Sequence, residues 1–104
     1  MATTTVTFKR TFDGRFVNVW IHHPDGVTEK LIFTNGFASS SMTAGTEYHL
    51  LWVAAGVEGS KLSIEKRTGG GAASKIVDGW KIPPKPGSAP GQVLVRTGQE
   101  EFTP

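Results

Sequence analysis

The stretch Tyr48–Lys66, YHLLWVAAGVEGSKLSIEK, decides the fold of this chain. Its first run, Tyr48–Ala55, has apolar side chains on both faces and includes aromatic residues that favour strands. Its second run, Lys61–Lys66, alternates polar and apolar residues with the period of two that marks a half-exposed strand. Gly56 and Gly59 lie between the runs and are typical of a turn. The stretch therefore predicts a hairpin in which a buried strand leads into a strand with one wet face.

Similar patterns recur along the chain at intervals of roughly ten residues. Asp13-Gly14 is a two-residue hairpin signal. The strand after it, Arg15–His22, is apolar on both faces, which predicts a central strand covered on both sides. No window of helical length keeps a period of 3.6. Further strands are predicted at Thr3–Phe12, Val27–Thr34, Ile76–Ile82 and Gln92–Thr97.

The segments between these strands are predicted to be irregular. Phe37–Gly45 contains three consecutive serines and is interpreted as a loop that crosses between sheets. Gly69–Ser74 is glycine-rich and flexible. The proline-rich segment 83–91 cannot form a ladder and is predicted to be a surface loop. The tail 98–104 is polar apart from Phe102, so we expect it to be loose.

A length of 104 residues fits a single domain over residues 1–104. Short strands at regular spacing, each bounded by turn residues, predict an all-β protein. We expect an antiparallel two-sheet sandwich of about six or seven strands, with an immunoglobulin-like or other Greek-key layout. A small β-barrel is the alternative.

Composition excludes several classes of function. The chain has no cysteine, which rules out a disulfide framework, a thiolate metal site and a cysteine nucleophile. The net charge of +2 does not indicate a particular partner. The apolar run Leu50–Gly56 is far shorter than the about 20 residues of a membrane-spanning helix. The N-terminus shows no leader segment, so we expect a cytoplasmic protein, or a secreted one if a leader was removed.

The sequence does not favour catalysis or a cofactor. His22 and His23 are adjacent and point to opposite faces of a strand. One of them meets His49 if the two strands pair, but ordinary strand-end histidines without a metal are the expectation. The three serines Ser39–Ser41 lack the strand-turn-helix context of a nucleophile. We therefore expect a protein that is not an enzyme and has no cofactor.

Function is instead predicted to be binding, most simply of another protein, through loops at one end of the sandwich. The loops in question are Phe37–Ser41, Gly69–Ser74 and Trp80–Pro90. Trp80 follows a turn signal and precedes the proline loop, so it is a candidate aromatic anchor. The alternative is that it closes the core. The candidate contact residues are Trp80, Asp78, Lys81, Phe37, Ser40 and Lys85.

The sequence leaves three alternative binding partners possible. Carbohydrate binding would use Trp80 with Asp78 or Asn35, because sugar rings stack on exposed aromatics beside polar groups. Self-association would use an exposed sheet edge. Nucleic-acid binding is the least supported, since the basic residues within 58–85 do not form one patch interleaved with aromatics.

Overall fold

The computed structural model describes residues 3–104, and these residues form eight strands that pair antiparallel. No helix in this part of the chain is long and apolar enough to cross a membrane. The strands are β1 (Thr3–Phe12), β2 (Phe16–His22), β3 (Thr28–Leu31), β4 (Phe37–Thr43), β5 (Tyr48–Gly56), β6 (Lys61–Thr68), β7 (Ser74–Lys81) and β8 (Leu94–Phe102).

The strands form two open sheets of four, which confirms the predicted all-β sandwich. Sheet A has the order β4-β1-β6-β7, and sheet B has the order β3-β2-β5-β8. Because both sheets are open, the barrel alternative is not the one adopted. There are eight strands where about six or seven were expected. The immunoglobulin-like layout stays a prediction.

The two runs of Tyr48–Lys66 occupy the middle of both sheets. β5 lies between β2 and β8 in sheet B, and β6 lies between β1 and β7 in sheet A. The predicted hairpin is therefore wrong, because the turn carries the chain from one sheet to the other. The hairpin predicted at Asp13-Gly14 is also wrong, because this turn joins β1 of sheet A to β2 of sheet B. Both turns reverse the chain, but the strands that they connect face each other across the core.

The core lies between the two sheets and is built from alternate residues of each strand. β1 contributes Val6 and Phe8, while β5 contributes Tyr48, Leu50 and Trp52. Its remaining buried members are Val17, Val19, Ile21, Leu31, Ala38, Met42, Ala54, Leu62, Ile64, Val77, Ile82, Leu94 and Phe102.

The loop prediction for Phe37–Gly45 is wrong, because most of this segment forms β4, an edge strand paired with β1. Ala38, Ser40 and Met42 point into the core, and the serines between them point to solvent. The sequence does not predict this strand, because its inward residues include small and polar side chains and therefore do not alternate regularly between apolar and polar.

The prediction of a loose tail is also wrong. β8 continues to Phe102 and pairs with β5 over its whole length. Phe102 is only 8% exposed; its ring lies 6.0 Å from that of Tyr48 and 5.8 Å from that of Phe8. The ladder with β5 and the buried ring of Phe102 together hold the end of the strand on the core.

Candidate functional site

The central strands of sheet B present apolar residues on the side that faces away from the core. The pairing registers place Trp20 between Lys30 and Leu51, with Gln99 on the far side of Leu51. A neighbouring row contains Asn18, Val53 and Thr97, and the row beyond it contains Phe16, Ala55 and Val95. We call this surface the open face; its members are Phe16, Asn18, Trp20, His22, Thr28, Lys30, His49, Leu51, Val53, Ala55, Val95, Thr97, Gln99 and Glu101.

The open face corrects one prediction about β2. Its central position in the sheet is confirmed, but the expectation that it is covered on both sides is wrong. Among residues 3–104 the strands form only the two sheets of the sandwich, so no further strand or helix lies over the outer side of sheet B. Phe16 is 54% exposed and Val95 is 62% exposed as a result.

The outer side of sheet A has a different character, although its strands are of similar length. β1 places Thr5, Thr7 and Lys9 on this side, and the pairing registers set mainly serines and charged residues opposite them, with Phe37 opposite Lys9. The partners are Ser39 and Ser41 on β4 and Glu65 and Arg67 on β6. Apart from Phe37, the outer side of sheet A therefore has the polar surface expected of solvent contact, whereas the outer side of sheet B carries apolar side chains along its central strands.

A shallow groove of about 830 Å³ runs along the open face. Trp20, Leu51 and Val53 provide its apolar lining, while Thr97 and Gln99 provide hydrogen-bonding groups along one side. His22 and His49 lie at one end of the groove. The groove thus combines an apolar middle with polar groups at its margin, as ligand sites on proteins commonly do.

The polar end of the groove contains a cluster of histidine and carboxylate side chains. β2 and β5 pair so that His22 lies opposite His49, with their ring centroids 6.5 Å apart. On the other side of β5, His49 lies opposite Glu101. His49 Nδ1 is 3.9 Å from Glu101 Oε1, and His49 Nε2 is 3.8 Å from Glu47 Oε1.

Trp80, the aromatic anchor predicted from the sequence, is half-buried in β7. It packs against the core, with its ring edge-to-face to Trp52 at 5.5 Å between centroids. Asp78 and Lys81 on the same strand are exposed, and Asp78 pairs with Lys75 at 3.2 Å. The packing of Trp80 therefore agrees with the alternative prediction, in which this side chain closes the core.

The other predicted contact residues lie elsewhere. Phe37 is 50% exposed at the start of β4, and Ser40 is buried further along that strand. Lys85 is exposed in the proline-rich loop. Since β4 and β7 are opposite edges of sheet A, the residues on these two strands do not converge on one surface.

Ser40 takes part in a contact between the two sheets. Its hydroxyl donates to Glu29 Oε1 at 2.6 Å, and His23 Nε2 lies 2.9 Å from the same oxygen. A serine nucleophile needs an adjacent base such as an imidazole in contact with its hydroxyl. Here the carboxylate lies between the two groups, so the arrangement links β4 of sheet A to β3 of sheet B.

Comparisons with protein-family models, with curated proteins and with solved structures each find no match. The sequence did contain a signal for the open face, namely the apolar residues at both parities of β2 and β5. That pattern predicts coverage by another layer, whereas in the structure it marks an uncovered surface.

Proposed function

We propose that this protein is a non-catalytic binding module that holds a protein partner on the open face. The observation that carries the proposal is the asymmetry between the outer sides of the two sheets. Apart from Phe37 at the start of β4, sheet A faces outward mainly with threonine, serine and charged residues, while sheet B faces outward with Phe16, Trp20, Leu51, Val53 and Val95. Contiguous exposed apolar surface of this kind marks interaction sites in soluble domains.

The distribution of residue types supports a protein partner. Trp20 and Leu51 lie side by side in the middle of the face, and tryptophan is among the residues that contribute most to binding energy. Charged and polar residues lie around them, including Lys30, Gln99 and Glu101. An apolar centre with a polar margin is the usual anatomy of a protein–protein interface.

The open face also replaces the loops as the surface on which to look for binding. The loop hypothesis relied on the analogy that rigid sandwiches present recognition loops. The open face provides apolar area on paired strands, where side chains are held in register and lose little conformational freedom on binding. We therefore place the partner on sheet B rather than at the loop ends.

Site-specific photo-cross-linking in the native host tests this proposal. A benzoylphenylalanine at Val53 lies on the open face, and one at Ser41 lies on the outer side of sheet A as the matched control. We expect a cross-linked protein product from position 53 that is lost when Leu51→Glu is added, and none from position 41. Equal products from both positions, or no product from either, would refute the proposal.

Carbohydrate is the second candidate ligand, and its location moves from Trp80 to Trp20. Trp20 is half-exposed on the open face, where the polar side chains of Lys30 and Asn18 are its neighbours. A sugar ring would stack on the indole and bond to such groups. Quenching or a shift of tryptophan fluorescence by oligosaccharides, abolished by Trp20→Ala and retained in Ser41→Ala, would favour this ligand over a protein.

A further inference from the structure

We propose that His49, Glu47 and Glu101, with His22 as a fourth ligand, bind a divalent transition-metal ion such as Zn²⁺ at the end of the open face. The pairing registers of β2, β5 and β8 bring His22, His49 and Glu101 together, and Glu47 lies just before the start of β5. The site shares His22, His49 and Glu101 with the open face, but its test uses the ion alone and does not depend on a partner.

The donor atoms are close enough to share one ion. One ligand atom each from Glu47, His49 and Glu101 can be chosen so that all lie within 4.8 Å of one another. A Zn²⁺ ion with bonds of about 2.1 Å holds tetrahedral ligand atoms about 3.4 Å apart. The three side chains therefore need to close by little more than 1 Å, and Glu47 and Glu101 are exposed and free to turn.

His22 is a further candidate ligand beside this group, although its ring nitrogens do not lie within 4.8 Å of all three donor atoms. Its ring lies 6.5 Å from that of His49, centroid to centroid, because the two residues are direct cross-strand partners. Two imidazoles on one tetrahedral ion have centroids about 5 Å apart, which a small rotation of the exposed His22 side chain can reach. Nitrogen from histidine and oxygen from glutamate are donors that Zn²⁺ accepts in proteins.

A supporting contact holds the ring of His22. Its Nδ1 lies 3.2 Å from the hydroxyl of Thr28, the cross-strand neighbour on β3. When Nδ1 carries the proton and donates it to this hydroxyl, Nε2 is left with its lone pair. Partners of this kind orient metal-binding histidines and fix their tautomer.

Titration with ZnCl₂, followed by two-dimensional NMR of the imidazole nitrogens, tests the proposal on protein without a histidine tag. The experiment is run at about pH 7.5, because a metal binds the neutral imidazole. The three histidines are the only ones in the chain, so each signal can be assigned by substitution. We expect the His22 and His49 signals to shift with Zn²⁺ and to return with a chelator. His23 follows β2, bonds to Glu29 and packs on the ring of Tyr48 in the core, so it is the internal reference.

Adjacent glutamates on β8 provide matched variants. Glu101 lies on the open face opposite His49, while Glu100 is paired with Leu50 and belongs to the opposite side of the strand. We expect Glu101→Gln and His49→Gln each to weaken Zn²⁺ binding at least about tenfold, and Glu100→Gln to leave it unchanged. If the His22 and His49 signals do not respond to Zn²⁺, or if the two glutamate variants weaken binding equally, the proposal is overturned.

Discussion

Replacing Gly98 with alanine tests how closely β8 packs on the tryptophan at the centre of the core. Gly98 is the cross-strand partner of Trp52, and both residues belong to the inner side of sheet B. A Cβ atom at Gly98 would lie 2.2 Å from Cζ2 and 2.4 Å from Cε2 of the Trp52 indole. Ordinary contacts of a Cβ atom are 3.4–4 Å, so the ring or the strand must move by more than 1 Å.

Neither group can move without cost. Trp52 is only 3% exposed and packs edge-to-face on Trp80, so a shift of its indole disturbs this packing. β8 is bonded to β5 over the length of the strand, so a shift of its backbone stretches the ladder. Overpacking of this kind typically costs about 1–3 kcal/mol. For a domain of this size, each kcal/mol lowers Tm by about 4–8 °C.

The free energy of unfolding of Gly98→Ala is measured by urea denaturation followed by tryptophan fluorescence. Gly70→Ala is the matched control, because a Cβ atom there meets nothing within 4 Å. We expect a loss of about 1–3 kcal/mol for Gly98→Ala and a change within about 0.5 kcal/mol for Gly70→Ala.

A double variant identifies the cause of the loss. In a Trp52→Leu background the colliding indole is absent, so the added cost of Gly98→Ala should fall below about 0.5 kcal/mol. If Gly98→Ala is as stable as Gly70→Ala, or if its cost persists without the indole, the close approach of β8 to Trp52 is refuted.

Three further substitutions test other parts of the structure. Ser40→Ala removes the hydrogen bond to Glu29 and should cost about 1–3 kcal/mol in urea denaturation, whereas the exposed Ser41→Ala should cost less than about 0.5 kcal/mol. Phe102→Ala should lower the free energy of unfolding by about 3–5 kcal/mol in the same assay, because its ring is buried against Tyr48 and Phe8. Glu100→Ala is the control, and a stability of Phe102→Ala within about 0.5 kcal/mol of that control would contradict the docking of the strand end. Val95→Lys should leave Tm nearly unchanged while it weakens capture of the cross-linked partner, since this side chain is exposed on the open face.

The sequence was sufficient to predict the strands whose inward residues are large and apolar. Val6 and Phe8 in β1, or Leu62 and Ile64 in β6, show their orientation through period-two alternation. β4 is not predicted from the sequence because its inward residues include Ala38 and Ser40. The buried hydroxyl of Ser40 donates its hydrogen bond to Glu29, which lies on β3 of the other sheet. A partner that distant in the chain leaves no local pattern.

The candidate site was predicted less well than the fold, and the reason lies in strand order. The sequence places Trp20 and Leu51 on strands that are apolar on both faces, but it shows neither which face is uncovered nor that these strands are neighbours. The pairing of β2 with β5 is what joins them into one surface, and it also places His22 opposite His49. Such registers are set by the packing of the whole sandwich.

The central claim is that a partner covers the open face, and cysteine accessibility tests it most directly. The chain has no cysteine, so Thr97→Cys on the open face and Thr5→Cys on the outer side of sheet A each provide a single label site. Both positions are exposed in the isolated chain, so the purified variants should react with a maleimide at similar rates. In native extract, we predict that position 97 is protected and position 5 is not. Equal labelling of the two positions in extract would contradict the account.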